Sequence, residues 1–110
     1  MKILQDHIEQ IRQLCLTNQV KPLFAFGSVV TENFSEDSDI DLVVDIEDDD
    51  PFSYSRKYFQ IKYNLIDILG RKIDLLEEKA INNLYFRKEL ERTKVLIYAH
   101  KNQNLALWYL

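Results

Sequence analysis

Glycine and proline are scarce, two of each in 110 residues. An all-β sandwich or barrel needs many tight turns, which these residues supply. The chain is therefore expected to combine helices with a few strands. One cysteine, Cys15, cannot close an internal disulfide, so neither an oxidised framework nor a thiolate metal cage is expected. An excess of positive charge is also missing. The 14 Lys and Arg are outnumbered by 18 Asp and Glu, for a net charge of −4. Duplex binding needs the opposite balance. No apolar run approaches the roughly 18 residues of a membrane span, and Met1–Asp6 has no signal-peptide core. A soluble, cytoplasmic chain is expected, with no direct nucleic-acid binding and no membrane contact. Its length suits one small domain over 1–110, and 46% hydrophobic with 29% charged residues is an ordinary globular mixture.

What is present is patterned. Leu4, Ile8, Ile11 and Cys15, with Leu14 beside them, give helical spacing over 3–17. Asn18, Gln19 and Pro22 close that helix. Leu23–Phe26 reads as a buried strand ending at Gly27-Ser28, and residues 29–33 are compatible with a short helix. Over 39–46 the pattern alternates. Ile40, Leu42, Val44 and Ile46 point one way; Asp39, Asp41, Val43 and Asp45 point the other. Asp50-Pro51 suits the start of a helix over about 53–69, with Gly70 to end it. Tyr58, Ile61, Leu65 and Ile68 share one face of this helix. A third strand follows over Arg71–Leu76. A further helix starts at Asn82 or Asn83 and runs to about Arg92. Val95–Tyr98 forms a fourth strand or a packed tail. The order α-β-(α)-β-α-β-α-β predicts an α/β (α+β) domain with a small mixed sheet flanked by helices.

The chemistry concentrates in Gly27-Ser28, ten intervening residues, and Asp39-Ile40-Asp41. Residues i and i+2 of a strand project from the same face, about 6.5–7 Å apart at Cα. Two carboxylates held there repel each other unless a cation lies between them. A hard divalent ion such as Mg²⁺ takes oxygen ligands from one or two carboxylates and from substrate phosphates. Two such ions can clamp a phosphoryl displacement. Asp74, alone among Ile73, Leu75 and Leu76, is costly to bury unless it faces a polar site. On a neighbouring strand it completes a triad, as metal ligand or as base for an incoming hydroxyl. Gly27 lets backbone approach a ligand closely, and Ser28 offers a hydroxyl and an amide. A helix beginning after them would turn free N–H groups to a phosphate. Asp37-x-Asp39-x-Asp41 also mimics the start of an EF-hand loop. Leu42 stands where that loop requires glycine, and the segment reads as a strand.

Phe26-Gly27-Ser28-Val29-Val30-Thr31, Ser38-Asp39-Ile40-Asp41-Leu42-Val43-Val44 and Lys72-Ile73-Asp74-Leu75-Leu76 together resemble the minimal nucleotidyltransferase (MNT) family of the DNA polymerase β superfamily. Asn83–Phe86 and Lys94–Tyr98 resemble the family's closing segments. The resemblance spans about residues 3–98, leaving 99–110 as a tail. It implies transfer of AMP from ATP with two Mg²⁺ ions. Asp39, Asp41 and Asp74 are then the catalytic and metal-binding acids, and Gly27 and Ser28 the triphosphate contacts. Many small members are antitoxins of a HEPN-domain ribonuclease toxin, which they neutralise by binding or by adenylylating a tyrosine. The resemblance therefore implies an antitoxin that modifies a HEPN partner, with a catalytically weak or silent occluding module as the alternative. One departure stands out: many relatives have arginines after Gly-Ser, and this chain has Val29, Val30 and Thr31.

Other features have plainer readings. Nine acids crowd 36–50 without a Lys or Arg. They read as a solvated rim and helix-capping charge, or as a docking face for a basic partner. Tyr54, Tyr58, Phe59 and Tyr63 read as core, with a partner surface as the alternative; Phe59 and Tyr63 are four apart and stack along one helix edge. His7 and His100 read as surface groups, and Cys15 as a small buried apolar residue. The apolar end Leu105–Leu110 would fold back, bind a partner or mediate self-association, and either a homo- or a hetero-oligomer is compatible with the sequence.

Overall fold

The computed structural model describes residues 1–100. Four strands form one mixed sheet in the order β3-β2-β1-β4. These are β1 (Val20–Phe26), β2 (Ile40–Ile46), β3 (Ile73–Glu77) and β4 (Val95–Ala99). β1 runs antiparallel to both β2 and β4, whereas β2 and β3 are parallel. The parallel pair needs a crossover, and helix α3 (Pro51–Leu69) supplies it. Residues 95–98, expected as a fourth strand or a packed tail, form the edge strand β4. Residues 101–110, with the apolar end, lie outside the described residues.

The alternation in β2 sorts the two faces of the sheet. Ile40, Leu42, Val44 and Ile46 are all fully buried in the main core. They meet Leu23 and Ala25 of β1, Ile73 and Leu75 of β3, and the apolar stripes of two helices. Helix α2 (Ile8–Thr17) gives Ile11 and Cys15, and α3 gives Ile61, Leu65 and Leu69. Burial pushes the Cys15 thiol up to about 12, which fits an inert apolar role. The opposite face carries Asp41, and α4 (Leu84–Thr93) meets it where the Phe86 ring sits edge-on to Phe26 at 5.9 Å.

The predicted termini of α3 are present. The Asp50 carboxylate accepts the Ser53 amide at 2.9 Å, Pro51 opens the helix, and Gly70 ends it at φ +63°. The Tyr58 hydroxyl donates to the Leu75 carbonyl at 2.6 Å and ties α3 to β3. Asn83 caps α4 by accepting the Phe86 amide at 2.9 Å.

Several boundaries differ from the sequence reading. The helix expected over 3–17 is two, α1 (Lys2–Gln5) and α2, broken at Asp6-His7. His7 is no plain surface group: it is half-buried, and its Nδ1 lies 2.9 Å from the Ile3 carbonyl oxygen, a local bond that competes with the helical ladder. β1 begins at Val20 and so contains Pro22, although it lies between two strands. Proline has no N–H for the ladder, and the pairing of β1 with β2 slips between Val20 and Leu23 to accommodate it. Residues 29–33 form no helix; Gly27–Val30 is a single 3-10 turn. Phe59 and Tyr63 are not core. Their rings do stack, at 6.0 Å between centroids, but on the solvent side of α3.

Candidate active site

Gly27 and the acids meet where β1 ends and β2 and β3 begin. Gly27 has φ +71°, a left-handed conformation that favours glycine. A Cβ built on it would lie 2.4 Å from Oδ2 of Asp41. Backbone conformation and space therefore both demand glycine, and the bare backbone faces the Asp41 carboxylate. Asp41 pairs with Phe26 on one side and with Asp74 on the other. Ile73 and Leu75 are buried, so strand alternation turns Asp74 to the open face, where it is exposed. Asp39 lies two residues before Asp41 and shares its face. All three predicted acids thus come to one edge of the open face.

The electrostatics fit a cation-seeking site. Burial, then the negative charges of Asp74 and Asp39, hold the Asp41 carboxyl above its ordinary range. Among the described residues, no three His, Cys, Asp or Glu side chains are gathered closely enough to hold a metal ion by themselves. The donors on this face are hard carboxylate oxygens with unbalanced negative charge. That set suits Mg²⁺, which normally completes its shell with phosphate oxygens and water.

The turn after Gly27 directs its two valines inward. Val29 is fully buried in the core and Val30 packs against it, so these two positions face away from any phosphate. Thr31 closes the turn, donating from its amide and its hydroxyl to the Ser28 carbonyl at 2.9 and 2.8 Å. One 3-10 turn has little of the dipole that the expected helix would have offered a phosphate.

Positive charge comes instead from the residue just before β3, and the sequence reading missed it. Lys72 Nζ lies 3.7 Å from Asp39 Oδ2 and is largely exposed. The Lys72 carbonyl accepts the Ile40 amide at 3.0 Å, so parallel pairing places this lysine beside the acids. Arg71 is spent on structure. It donates to the carbonyls of Ser35 and Ser38 and lies 4.6 Å over the Phe34 ring, which braces the loop leading to Asp39. The available signal was Arg71-Lys72 standing directly before Ile73-Asp74.

Two open cavities flank this sheet. One, of about 490 Å³, is lined by Ile81, Asn82, Asn83, Tyr85 and Phe86 at the start of α4. Phe86 links it through Phe26 to Asp41. The other, of about 360 Å³, lies at the far ends of β2 and β3, near Asp48, Tyr54 and Glu77. Within the acidic stretch, Asp48 bonds Lys57 at 2.6 Å and Asp50 caps α3, so part of that charge is structural. The hydrogen bond from Lys57 holds the Asp48 carboxyl well below the usual range.

Comparison with known proteins places these features in a family. Residues 9–103 match the family model "Polymerase beta, Nucleotidyltransferase". The chain is 32% identical over 96 residues to the Methanocaldococcus jannaschii protein named "Putative protein adenylyltransferase MJ1217", covering 87% of this chain and 92% of that protein. It is 34% identical over 79 residues to "Putative protein adenylyltransferase MJ1379" of the same organism, covering 72% and 78%. Among solved structures, one described as a "putative minimal nucleotidyltransferase" superposes with a TM-score of 0.71 at 26% identity, covering 86% of this chain and 92% of the other. A toxin–antitoxin structure with AMP-PNP superposes at 0.65 with 17% identity, covering 90% and 78%. A Shewanella oneidensis complex of a tri-AMPylated HEPN toxin with its MNT antitoxin superposes at 0.60 with 16% identity, covering 93% and 77%. Among the described residues, no helix is long and apolar enough to cross a membrane.

Proposed function

Since the chain belongs to the polymerase β nucleotidyltransferase family, as one of its minimal members, we propose that it transfers AMP from ATP to a protein, in the role of an antitoxin acting on a HEPN-domain toxin. The observation that carries this reading is the bare backbone of Gly27 against the Asp41 carboxylate, with Asp74 beside it in register. The naming of two relatives as adenylyltransferases supports the chemistry. The fold shared with an antitoxin bound to an AMPylated HEPN toxin supports the partner.

In this reading the phosphates approach over Gly27, where a side chain would block them, and Ser28 offers its hydroxyl and amide. Asp39 and Asp41 would hold Mg²⁺, with Asp74 as the third acid. Bound there, the ion would supply positive charge against the phosphates. Lys72 adds a positive charge at the edge of the site. An acceptor hydroxyl oxygen bonds to the α-phosphorus of ATP and pyrophosphate leaves. Asp74, exposed on the open face, takes the hydroxyl proton. Leu84 and Tyr85 at the start of α4 are 79% and 78% exposed beside the Phe86 cavity, an apolar rim for a protein acceptor.

A second reading, neutralisation by occlusion alone, is favoured by the turn of Gly27–Val30, which offers no cation to the triphosphate. One experiment separates the two. The chain and its HEPN partner are incubated with Mg²⁺ and ATP labelled at the α-phosphate, and survival of cells expressing both is scored. Label on the partner, lost in the Asp39→Asn/Asp41→Asn double variant together with protection, is expected. A double variant that still protects would leave occlusion as the mechanism.

A further inference from the structure

The solvent side of α3 carries an aromatic stripe that the proposed chemistry does not use. Phe52, Phe59 and Tyr63 are 86%, 47% and 59% exposed. At 3.6 residues per turn they fall, with Arg56 and Asp67, within an arc of about 80°. Two of the three rings are already held by neighbouring rings. Phe59 stacks on Tyr63 and meets Tyr58 edge-on at 5.2 Å, so little rotamer freedom remains to be lost on contact.

The arrangement is symmetric about Ile61, whose own side chain is buried in the core. Phe59 and Tyr63 lie two residues to either side. Arg56 lies five residues before it and Asp67 six after, and these are the only exposed charged residues of the helix. We infer that this face joins two copies of the chain, their α3 helices packed antiparallel about a two-fold axis at the level of Ile61. Phe59 of each copy then meets Tyr63 of the other, and Arg56 meets Asp67 twice. The one-residue inequality is about 1.5 Å along the axis, well within the reach of an arginine. Phe52 falls against Gly70 of the other copy, where no side chain intervenes. An isologous contact needs such self-complementarity, and opposite charges at nearly equal distances from the axis provide it.

The size of the patch sets the strength. With roughly 150–250 Å² per aromatic side chain, the three rings offer about 400 Å² per copy at their observed exposures. Both copies and their flanking residues then reach the lower end of specific interfaces, near 1,200 Å². Association is expected at micromolar rather than nanomolar concentration. Asp41 and Asp74 project from the opposite face of the sheet, so both active sites stay open in the pair.

Sedimentation velocity over about 1–500 µM, without nucleotide or partner, tests this. A concentration-dependent dimer is expected for the wild-type chain. Arg56→Asp alone and Asp67→Arg alone each set like charges opposite one another twice, and should weaken the dimer roughly tenfold or more. The Arg56→Asp/Asp67→Arg double variant should recover it. So should an equal mixture of the two single variants, which pairs opposite charges at both places. Phe59→Ser/Tyr63→Ser should be monomeric, with a melting curve close to wild type because both rings are exposed. A wild-type chain that stays monomeric throughout, a dimer unmoved by the single reversals, or a double reversal that stays weak would overturn the inference.

Discussion

Gly27→Ala perturbs the candidate site by a single methyl group, and its consequences separate into two parts. The first is conformational. Gly27 has φ +71°, and a non-glycine residue held there costs about 1–2 kcal/mol. For a domain near 100 residues, each kcal/mol lowers Tm by roughly 4–8 °C. The second part is steric. The new Cβ would stand 2.4 Å from Asp41 Oδ2, about 1 Å inside ordinary contact. The side chain that must give way is the carboxylate assigned to the metal. A displacement of that size can cost on the order of 100-fold in rate. Gly70→Ala is the matched control. Gly70 has φ +63°, and a Cβ added there would meet nothing within 4 Å, so only the conformational part applies. Both variants should melt several degrees below wild type. Only Gly27→Ala should lose AMP transfer and most of the Tm rise that Mg²⁺ with ATP gives. The assay is a melting scan of all three proteins in EDTA and in Mg²⁺ with ATP, beside label transfer. A Gly27→Ala protein that retains the ligand-induced rise, or a Gly70→Ala protein that loses it, would refute the argument.

Asp41→Asn should be at least as stable as wild type in EDTA at pH 7. Its folded-state carboxyl is raised by burial and by Asp74 and Asp39, so the ionised form destabilises the fold. Acidification through that raised value protonates Asp41 and removes the penalty, so the advantage of Asn should shrink as pH falls; urea titrations at pH 7 and pH 4 would measure the gap. Lys72→Met should shift Tm by no more than a few degrees, since the lysine is exposed and its pairing with Asp39 is a surface ion pair. The same change should weaken ATP binding several-fold in calorimetry, and an unchanged affinity would remove Lys72 from the site.

Much of the site was legible in the linear sequence because its parts are local. Asp39 and Asp41 share a face through the two-residue period of a strand. The Asp50-Pro51 start and Gly70 end of α3 follow from capping chemistry and the left-handed preference of glycine. Apolar alternation marked Ile40, Leu42, Val44 and Ile46 as core, and all four are. Pro22 misled because proline ordinarily ends a ladder, and only a slip in pairing with β2 lets it stay within β1. Phe59 and Tyr63 misled because aromatic composition signals burial without saying which side of a helix the sheet occupies.

Pairing between strands distant in sequence was decided by tertiary structure alone. The alternation that exposes Asp74 is local, but its place beside Asp41 comes from the parallel β2–β3 register. The same register carries Lys72 to Asp39, where no spacing rule connects residues 33 apart. The positive φ and the close approach of Gly27 to Asp41 also depend on where β1 ends against β2. Side-chain period is a property of each segment and can be read along it. Strand register is set by packing the whole core at once, and on it depends which charges meet.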